Sequence, residues 1–244
     1  MILNTAILPI GGKGKRLSSF SEKPKLLTNI NGKCLIDYTI DKLYSEGIEN
    51  IILVSNIDNL LIEEYCKEIC FSKNLNLKIL REENFLGNFG GIIENLKYLP
   101  ETFIVIYPDI IWSLHLARII KYHKMSQSLI TLVVRRTDHP FDSDNVKLNP
   151  YMTVKYIKSK VLKHKGNQLE NNDLFGATGI YIMNKEYVAK AQKLNFPNDK
   201  EIDLFETISY LWDDLDIQIS AYITSEYIKD CGTPKRFKMV EKDL

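Results

Sequence analysis

The chain has 244 residues, 45% of them apolar and 26% charged, an ordinary globular balance with room for one large α/β domain or two small ones. Its formal net charge of +1 excludes broad electrostatic attraction to nucleic acid, so basic residues must act locally. No apolar run approaches the ~20 residues that a membrane helix needs.

Met1-Ile2-Leu3-Asn4 carries no charged region and no cleavage site follows it, which leads us to expect a cytoplasmic protein. Thr5-Ala6-Ile7-Leu8-Pro9-Ile10 reads as a short buried strand. It runs into Gly11-Gly12-Lys13-Gly14-Lys15-Arg16-Leu17, and Lys23-Pro24-Lys25 follows. Glycines admit positive φ and a close approach to the backbone. Free N–H groups in such a turn form an anion nest. Lys13, Lys15, Arg16, Lys23 and Lys25 ring it with positive charge. Strand, glycine turn and cations together predict a phosphate cradle; a solvated basic turn is the plainer alternative. No Gly-Lys-Ser/Thr closes a P-loop, and Arg16-Leu17 stands where a dinucleotide fingerprint needs its third glycine.

Asn31-Gly32 is a turn signal, and the apolar stripe of 35–44 predicts a helix that Gly47 ends. Strands are expected at 50–55, 77–80, 103–107, 128–134, 153–157, 174–183 and 217–223, and helices at 60–71, near Phe89, at 114–124, at 202–211 and from Thr233 or Pro234. Strands alternating with helices imply parallel pairing and right-handed crossovers. In such sheets ligands bind outside the carboxyl ends of the strands. Cys34, Cys66, Cys70 and Cys231 fit no metal spacing and read as reduced thiols.

Three acidic groups stand near predicted strand ends. Glu82 and Glu83 adjoin a glycine turn and can accept from a base edge, either guanine N1–H and N2–H₂ or cytosine N4–H₂; a solvated acidic turn is the alternative. Asp109 closes the apolar run 103–107 through Pro108; a carboxylate there is costly unless it binds something, and a divalent cation held with phosphates is a natural partner. Its alternative role is a helix N-cap. Asp138, Asp142 and Asp144 share a loop with His139, but the turn-like spacing and Pro140 argue against a metal cage.

Taken in order, these motifs resemble the sugar-phosphate nucleotidyltransferases, in particular the guanylyltransferases of heptose 1-phosphate and mannose 1-phosphate. The resemblance is carried by Gly-Gly-x-Gly-x-Arg-Leu with Lys23-Pro24, by Leu86-Gly87, by Asp109, by Asp138-His139-Pro140-Phe141-Asp142-Ser143-Asp144, by Gly176-Ala177-Thr178-Gly179-Ile180-Tyr181 and by Asp230-Cys231-Gly232-Thr233-Pro234. Departures are Pro9-Ile10, Asn88-Phe89, Pro108, Ser159 and Val161 around Lys160, and the lack of an Asn at the Thr178-Gly179 motif. The resemblance implies a single α/β domain over 1–244, a Rossmann-like three-layer αβα sandwich with a mixed, mainly parallel sheet. It implies Mg²⁺ on Asp109 and Asp230. It implies nucleotide contacts from Gly11, Gly12, Gly14, Lys15, Glu82, Glu83 and Gly87, with Arg16 and Lys23 acting on the phosphates. Lys160, with Lys158 and Lys163 as alternatives, would meet the acceptor phosphate, and Asp144, Thr178 and Gly179 would face the sugar.

The implied reaction transfers a nucleoside monophosphate from a triphosphate, GTP before the others, to a heptose or mannose-like 1-phosphate. Pyrophosphate leaves, and the nucleotide sugar would feed surface polysaccharide. Partners are the triphosphate and the phosphorylated sugar, without nucleic acid or membrane; a homodimer is left open. Rival readings are a cytidylyltransferase of polyol, amino or choline phosphates, a glycosyltransferase using Asp142-Ser143-Asp144, and an inactive nucleotide-binding regulator.

Overall fold

The sheet is built outward from β1 (Thr5–Pro9), an apolar strand with a neighbour on each edge and a core on each face. Ala6 and Leu8 point into one core and Ile7 into the other, as the two-residue period of a strand requires. The computed structural model describes residues 3–11, 23–82, 86–136, 144–158, 174–194, 196–197, 200–211 and 217–244.

A hairpin of β2 (Asn29–Ile30) and β3 (Lys33–Cys34) turns on Asn31 and Gly32, whose φ values of 47° and 88° suit a tight two-residue turn. Helix α1 (Leu35–Ser45) follows, and the Asp37 carboxylate accepts from the Cys34 amide to close its first turn. Then come β4 (Asn50–Ser55), α2 (Leu60–Ser72), β5 (Asn76–Arg81), α3 (Gly87–Glu94), β6 (Thr102–Ile106), β7 (Ile110–Trp112), α4 (Leu116–Ser126) and β8 (Ile130–Arg136). After these lie β9 (Asn145–Leu148), β10 (Val154–Lys158), β11 (Phe175–Asn184), α5 (Lys185–Gln192), α6 (Leu204–Leu211), β12 (Ile219–Ile223), β13 (Ile228–Asp230) and α7 (Pro234–Asp243).

The main sheet runs β10-β9-β11-β6-β1-β4-β5, with β8 pairing both β11 and β12. The pairs of β1 with β4 and β6, β4 with β5, and β8 with β12 are parallel, while β11 is antiparallel to β6, β8 and β9. Helices α1, α2, α4 and α7 cover one face, and α3, α5 and α6 cover the other. This is the mixed three-layer architecture expected from the alternating elements.

Four described elements carry no signal of their own in the sequence. Strands β7, β9 and β13 are only three or four residues long, and α5 follows β11 without a break. Helix α4 begins at Leu116 rather than at Leu114, because Leu114 is fully buried and the Leu116 amide is capped by Glu46 from the end of α1 at 2.8 Å. All four cysteines are free, and burial pushes the Cys70 thiol up to about 11 and raises Cys66 further. Among the described residues no helix is long and apolar enough to cross a membrane.

Helix α3 packs so tightly on the sheet that its glycines are obligatory. A Cβ at Gly91 would lie 2.6 Å from Val54 Cγ1 and 2.5 Å from Glu82 Oε2. Alanine ordinarily favours a helix over glycine by about 1 kcal/mol. Here Gly91→Ala is expected to destabilise the fold by about 1–3 kcal/mol instead, to be read as a lower urea midpoint; an unchanged or raised midpoint would disprove the close packing.

Candidate active site

The carboxyl ends of β1, β4, β5 and β6 lie side by side, and the polar residues of interest gather there. At the end of β1 the Ile10 amide donates to the Val54 carbonyl at 2.8 Å. The next residue, Gly11, has its carbonyl held by Asn56 Nδ2 at 3.0 Å. Asn56 is buried, and its Oδ1 accepts from the Asp58 amide at 3.1 Å and from Asn59 Nδ2 at 2.6 Å. One asparagine therefore both starts the turn after β4 and anchors the first glycine of the loop. Sequence reading missed it, although it follows the rule that picked out Asp109, a polar residue just past a buried strand. Gly12, Gly14, Lys15 and Arg16 lie outside the described residues. Lys23 is exposed ahead of a single 3₁₀ turn, Lys25–Leu27.

Asp109 and Asp230 are brought together by an antiparallel ribbon. β13 pairs with β7, Asp230 standing opposite Ile110, and the Cys231 amide donates to the Asp109 carbonyl at 2.8 Å. Asp109 is thus the residue before a strand, not the cap of a helix. Asp230 accepts from the Gly232 amide at 2.9 Å and from Arg236, whose Nη1 lies 3.1 Å from Oδ1 and 3.0 Å from Oδ2. A Cβ on Gly232 would approach Asp230 Oδ1 to 2.8 Å, which explains the glycine. Thr233 caps α7 by accepting from the Arg236 amide, and Pro234 opens that helix. Cys231 lies buried beneath the pair; burial first, then the Asp109 charge, pushes its thiol up to about 12.

Two partly exposed carboxylates on neighbouring strands are hard oxygen donors of the kind a divalent cation prefers. Among the described residues no group of three or more His, Cys, Asp or Glu side chains is placed to hold a metal. The pair therefore suits an ion that takes its remaining ligands from phosphate and water.

At the start of α3, Gly87 adopts φ +88° and leaves no room for a side chain, since a Cβ would meet Ile202 O at 2.6 Å. The Ile202 amide donates to the Leu86 carbonyl at 2.7 Å, and Phe89 N donates to Ile202 O at 3.1 Å. Asn88 completes the tie: its Nδ2 donates to Asp203 at 2.6 Å and its Oδ1 accepts from the Leu204 amide at 3.0 Å. The asparagine that departs from the family pattern thus fastens the glycine turn to the start of α6. Glu82 is turned inward and is 4% exposed, with the Leu86 amide 3.4 Å from its Oε2. Glu83 lies outside the described residues.

On the far side, β11 carries an irregularity between Ala177 and Tyr181. It lets Thr178 donate to the Val133 carbonyl at 2.9 Å and sets Gly179, at φ +83°, against the Tyr107 ring. Asp144 is buried, and its carbonyl accepts from Ala177 N at 2.9 Å. Tyr107 and Tyr181 meet edge to face with ring centroids 5.7 Å apart. Burial first, and then neighbouring groups that include Asp144 and Asp203, raises both phenols well above their ordinary range, so both stay neutral donors. Lys160, Lys163 and the segment 137–143 lie outside the described residues.

The family model described as nucleotidyl transferase matches residues 5–244. The chain is 28% identical over 247 residues to a D-glycero-alpha-D-manno-heptose 1-phosphate guanylyltransferase of Aneurinibacillus thermoaerophilus, covering 98% of this chain and 97% of that protein. It is 24% identical over 242 residues to a mannose-1-phosphate guanylyltransferase of Mycobacterium tuberculosis, covering 98% of this chain but only 64% of that longer protein. Among solved structures, HddC from Yersinia pseudotuberculosis superposes with a TM-score of 0.74 at 22% identity over 99% of both chains, a likeness of fold.

The buried Glu82 has a consequence for stability. Burial pushes its carboxyl from 4.5 up to about 7. The folded state then holds a proton that the unfolded state releases between those values, so stability falls as pH rises through that window. Glu82→Gln keeps an acceptor without the charge. Relative to this variant the wild type should lose about 2–3 kcal/mol between about pH 4.5 and about pH 7.5, measured as urea midpoints across pH; parallel curves would refute the buried carboxyl.

Proposed function

The chain belongs to the nucleotidyl transferase family, and from that premise we propose that it joins GTP to a heptose or mannose-like sugar 1-phosphate with release of pyrophosphate. The observation that carries the reading is the β7–β13 ribbon, which sets Asp109 beside Asp230. We take residues 1–244 as a single catalytic domain.

The acceptor phosphate is the nucleophile and is already ionised at neutral pH, so no general base is required. One of its oxygens bonds to the α-phosphorus of the triphosphate as the α–β bridging bond breaks, and pyrophosphate carries away the electron pair. Positioning and charge neutralisation supply the catalysis. Backbone N–H groups of Gly11 to Gly14 and the Arg16 side chain bind the β- and γ-phosphates. Lys23 offsets charge at the α-phosphate, and Lys160 holds the acceptor phosphate. Asp109 and Asp230 would hold a Mg²⁺ ion, whose contribution is neutralisation of the triphosphate. Asp144, Thr178 and Gly179 line the sugar side, beside the half-buried Tyr107.

Preference for guanine is supported by the names of the heptose relatives and by the match of a carboxylate to guanine's two adjacent donors, a bidentate pair that discriminates by about 1–3 kcal/mol. With Glu82 turned inward, that role falls to Glu83. Gly87 and Leu86 give the base its floor, held in place through Asn88 and Asp203.

The test is pyrophosphate release with each nucleoside triphosphate against a panel of sugar 1-phosphates. GTP with a manno-configured acceptor should be turned over fastest; turnover of CTP without GTP overturns the guanine reading in favour of a cytidylyltransferase. Asp109→Asn and Asp230→Asn should each slow the reaction about a thousandfold, equivalent to about 4 kcal/mol of barrier, with circular dichroism unchanged. Wild-type rates in either variant would remove that carboxylate from the mechanism.

A further inference from the structure

Each of the two carboxylates already has a cation of its own. Arg236 Nη1 lies against both oxygens of Asp230 from the first turn of α7, and the Gly232 amide adds a second hydrogen bond. That arrangement fixes the carboxylate's orientation. Asp109 is held differently, by one contact to Oδ2 from Lys25 Nζ at 2.5 Å. Lys25 stands 84 residues earlier, on the 3₁₀ turn that closes the glycine-loop segment. Its side chain is only 15% exposed, yet Asp109 remains 34% exposed, so the ion pair is open on the carboxylate's side.

A lysine ammonium is a compact point charge on a flexible stem, able to move between acceptors, unlike a planar guanidinium. It also competes with a divalent cation for Asp109. Both are drawn to the same negative charge, and two cations a few ångströms apart repel. A triphosphate bound beside Asp109 would offer the ammonium other oxygens.

We propose that Lys25 is a tethered counter-ion for Asp109, holding that carboxylate while no metal is bound and releasing it to the divalent cation when the triphosphate takes the ammonium instead. The inference rests on the reading of Asp109 and Asp230 as the metal pair. Lys25 is a positioning residue on this account. It makes the protein a weak binder of free metal, so that metal and nucleotide enter together. It also adds a phosphate contact that Lys23, exposed two residues earlier, does not duplicate.

The direct test is Mn²⁺ binding to the protein alone, followed by isothermal titration and by the electron paramagnetic resonance signal of free Mn²⁺. Lys25→Met should bind Mn²⁺ about tenfold more tightly than wild type, about 1.4 kcal/mol. Lys25→Arg, which keeps a cation, should stay near wild type. Lys33→Met, which removes a lysine paired with Asp41 on the surface, should change nothing. In an Asp109→Asn background the effect of Lys25→Met should vanish. Equal Mn²⁺ affinity in wild type and Lys25→Met, with Asp109→Asn still weaker, overturns the proposal and leaves the metal pair intact. Unaltered binding in Asp109→Asn overturns the metal pair and this inference with it.

A second arm uses GTP in the presence of a chelator. Lys25→Met should weaken metal-free GTP binding at least threefold, and unchanged affinity would refute the transfer of the ammonium to phosphate. Lys25→Gln, equally uncharged, repeats both arms should the methionine variant fold poorly, with circular dichroism as the check.

Discussion

Three residue pairs hold the site together: Ile228 with Trp112, Lys229 with Ile111 and Asp230 with Ile110. These short strands lie outside the main sheet and bury Ile228, Ile110, Ile111 and Trp112 in the core under α1, α4 and α7. Apolar burial of four large side chains supplies the stabilisation, and the ladder supplies the register. A slip of one residue would turn Asp230 to the other face of the ribbon. The pairing thus converts a separation of more than a hundred residues into a juxtaposition.

Around that ribbon the carboxylates are charged groups that need partners, and the chain provides one for each from a different element. Arg236 is placed by the same Thr233–Pro234 cap that starts α7, so the last helix serves as a holder for Asp230. Lys25 is placed by a 3₁₀ turn far earlier in the chain, so a second element reaches Asp109 directly. Both pairs are partly exposed, and screening keeps such pairs worth little to stability. Their value lies in orientation and in what can displace them.

The opposite wall is organised by backbone rather than by charge. Gly87 and Gly179 both adopt positive φ, and at each a Cβ would strike a neighbour, Ile202 in one case and Tyr107 in the other. The first contact couples the turn before α3 to α6 through Asn88 and Asp203; the second couples the β11 irregularity to the end of β6. The phenols of Tyr107 and Tyr181 meet edge to face beside the second contact, and burial keeps both neutral.

The sequence by itself determined the alternation of strands and helices, because apolar periods of 2 and 3.6 survive in any context where one face is buried. It also determined the local chemistry: the hairpin at Asn31-Gly32, the cap at Thr233-Pro234, and the family to which the glycine loop and the two aspartates point. These are legible because their causes lie within a few residues. Strands β7 and β13 are too short to show a period, and the start of α4 is set by Glu46, seventy residues away. Asn56 looked like an ordinary turn residue until the Gly11 carbonyl was brought to it. Glu82 and Lys25 show the same division most sharply. Their residue types promised a base contact and a phosphate contact, but packing under Gly91 turned one inward, and the fold delivered the other to Asp109. Where a charged side chain ends up depends on which opposite charge or amide the tertiary structure places within its reach, and that is not written in its neighbours.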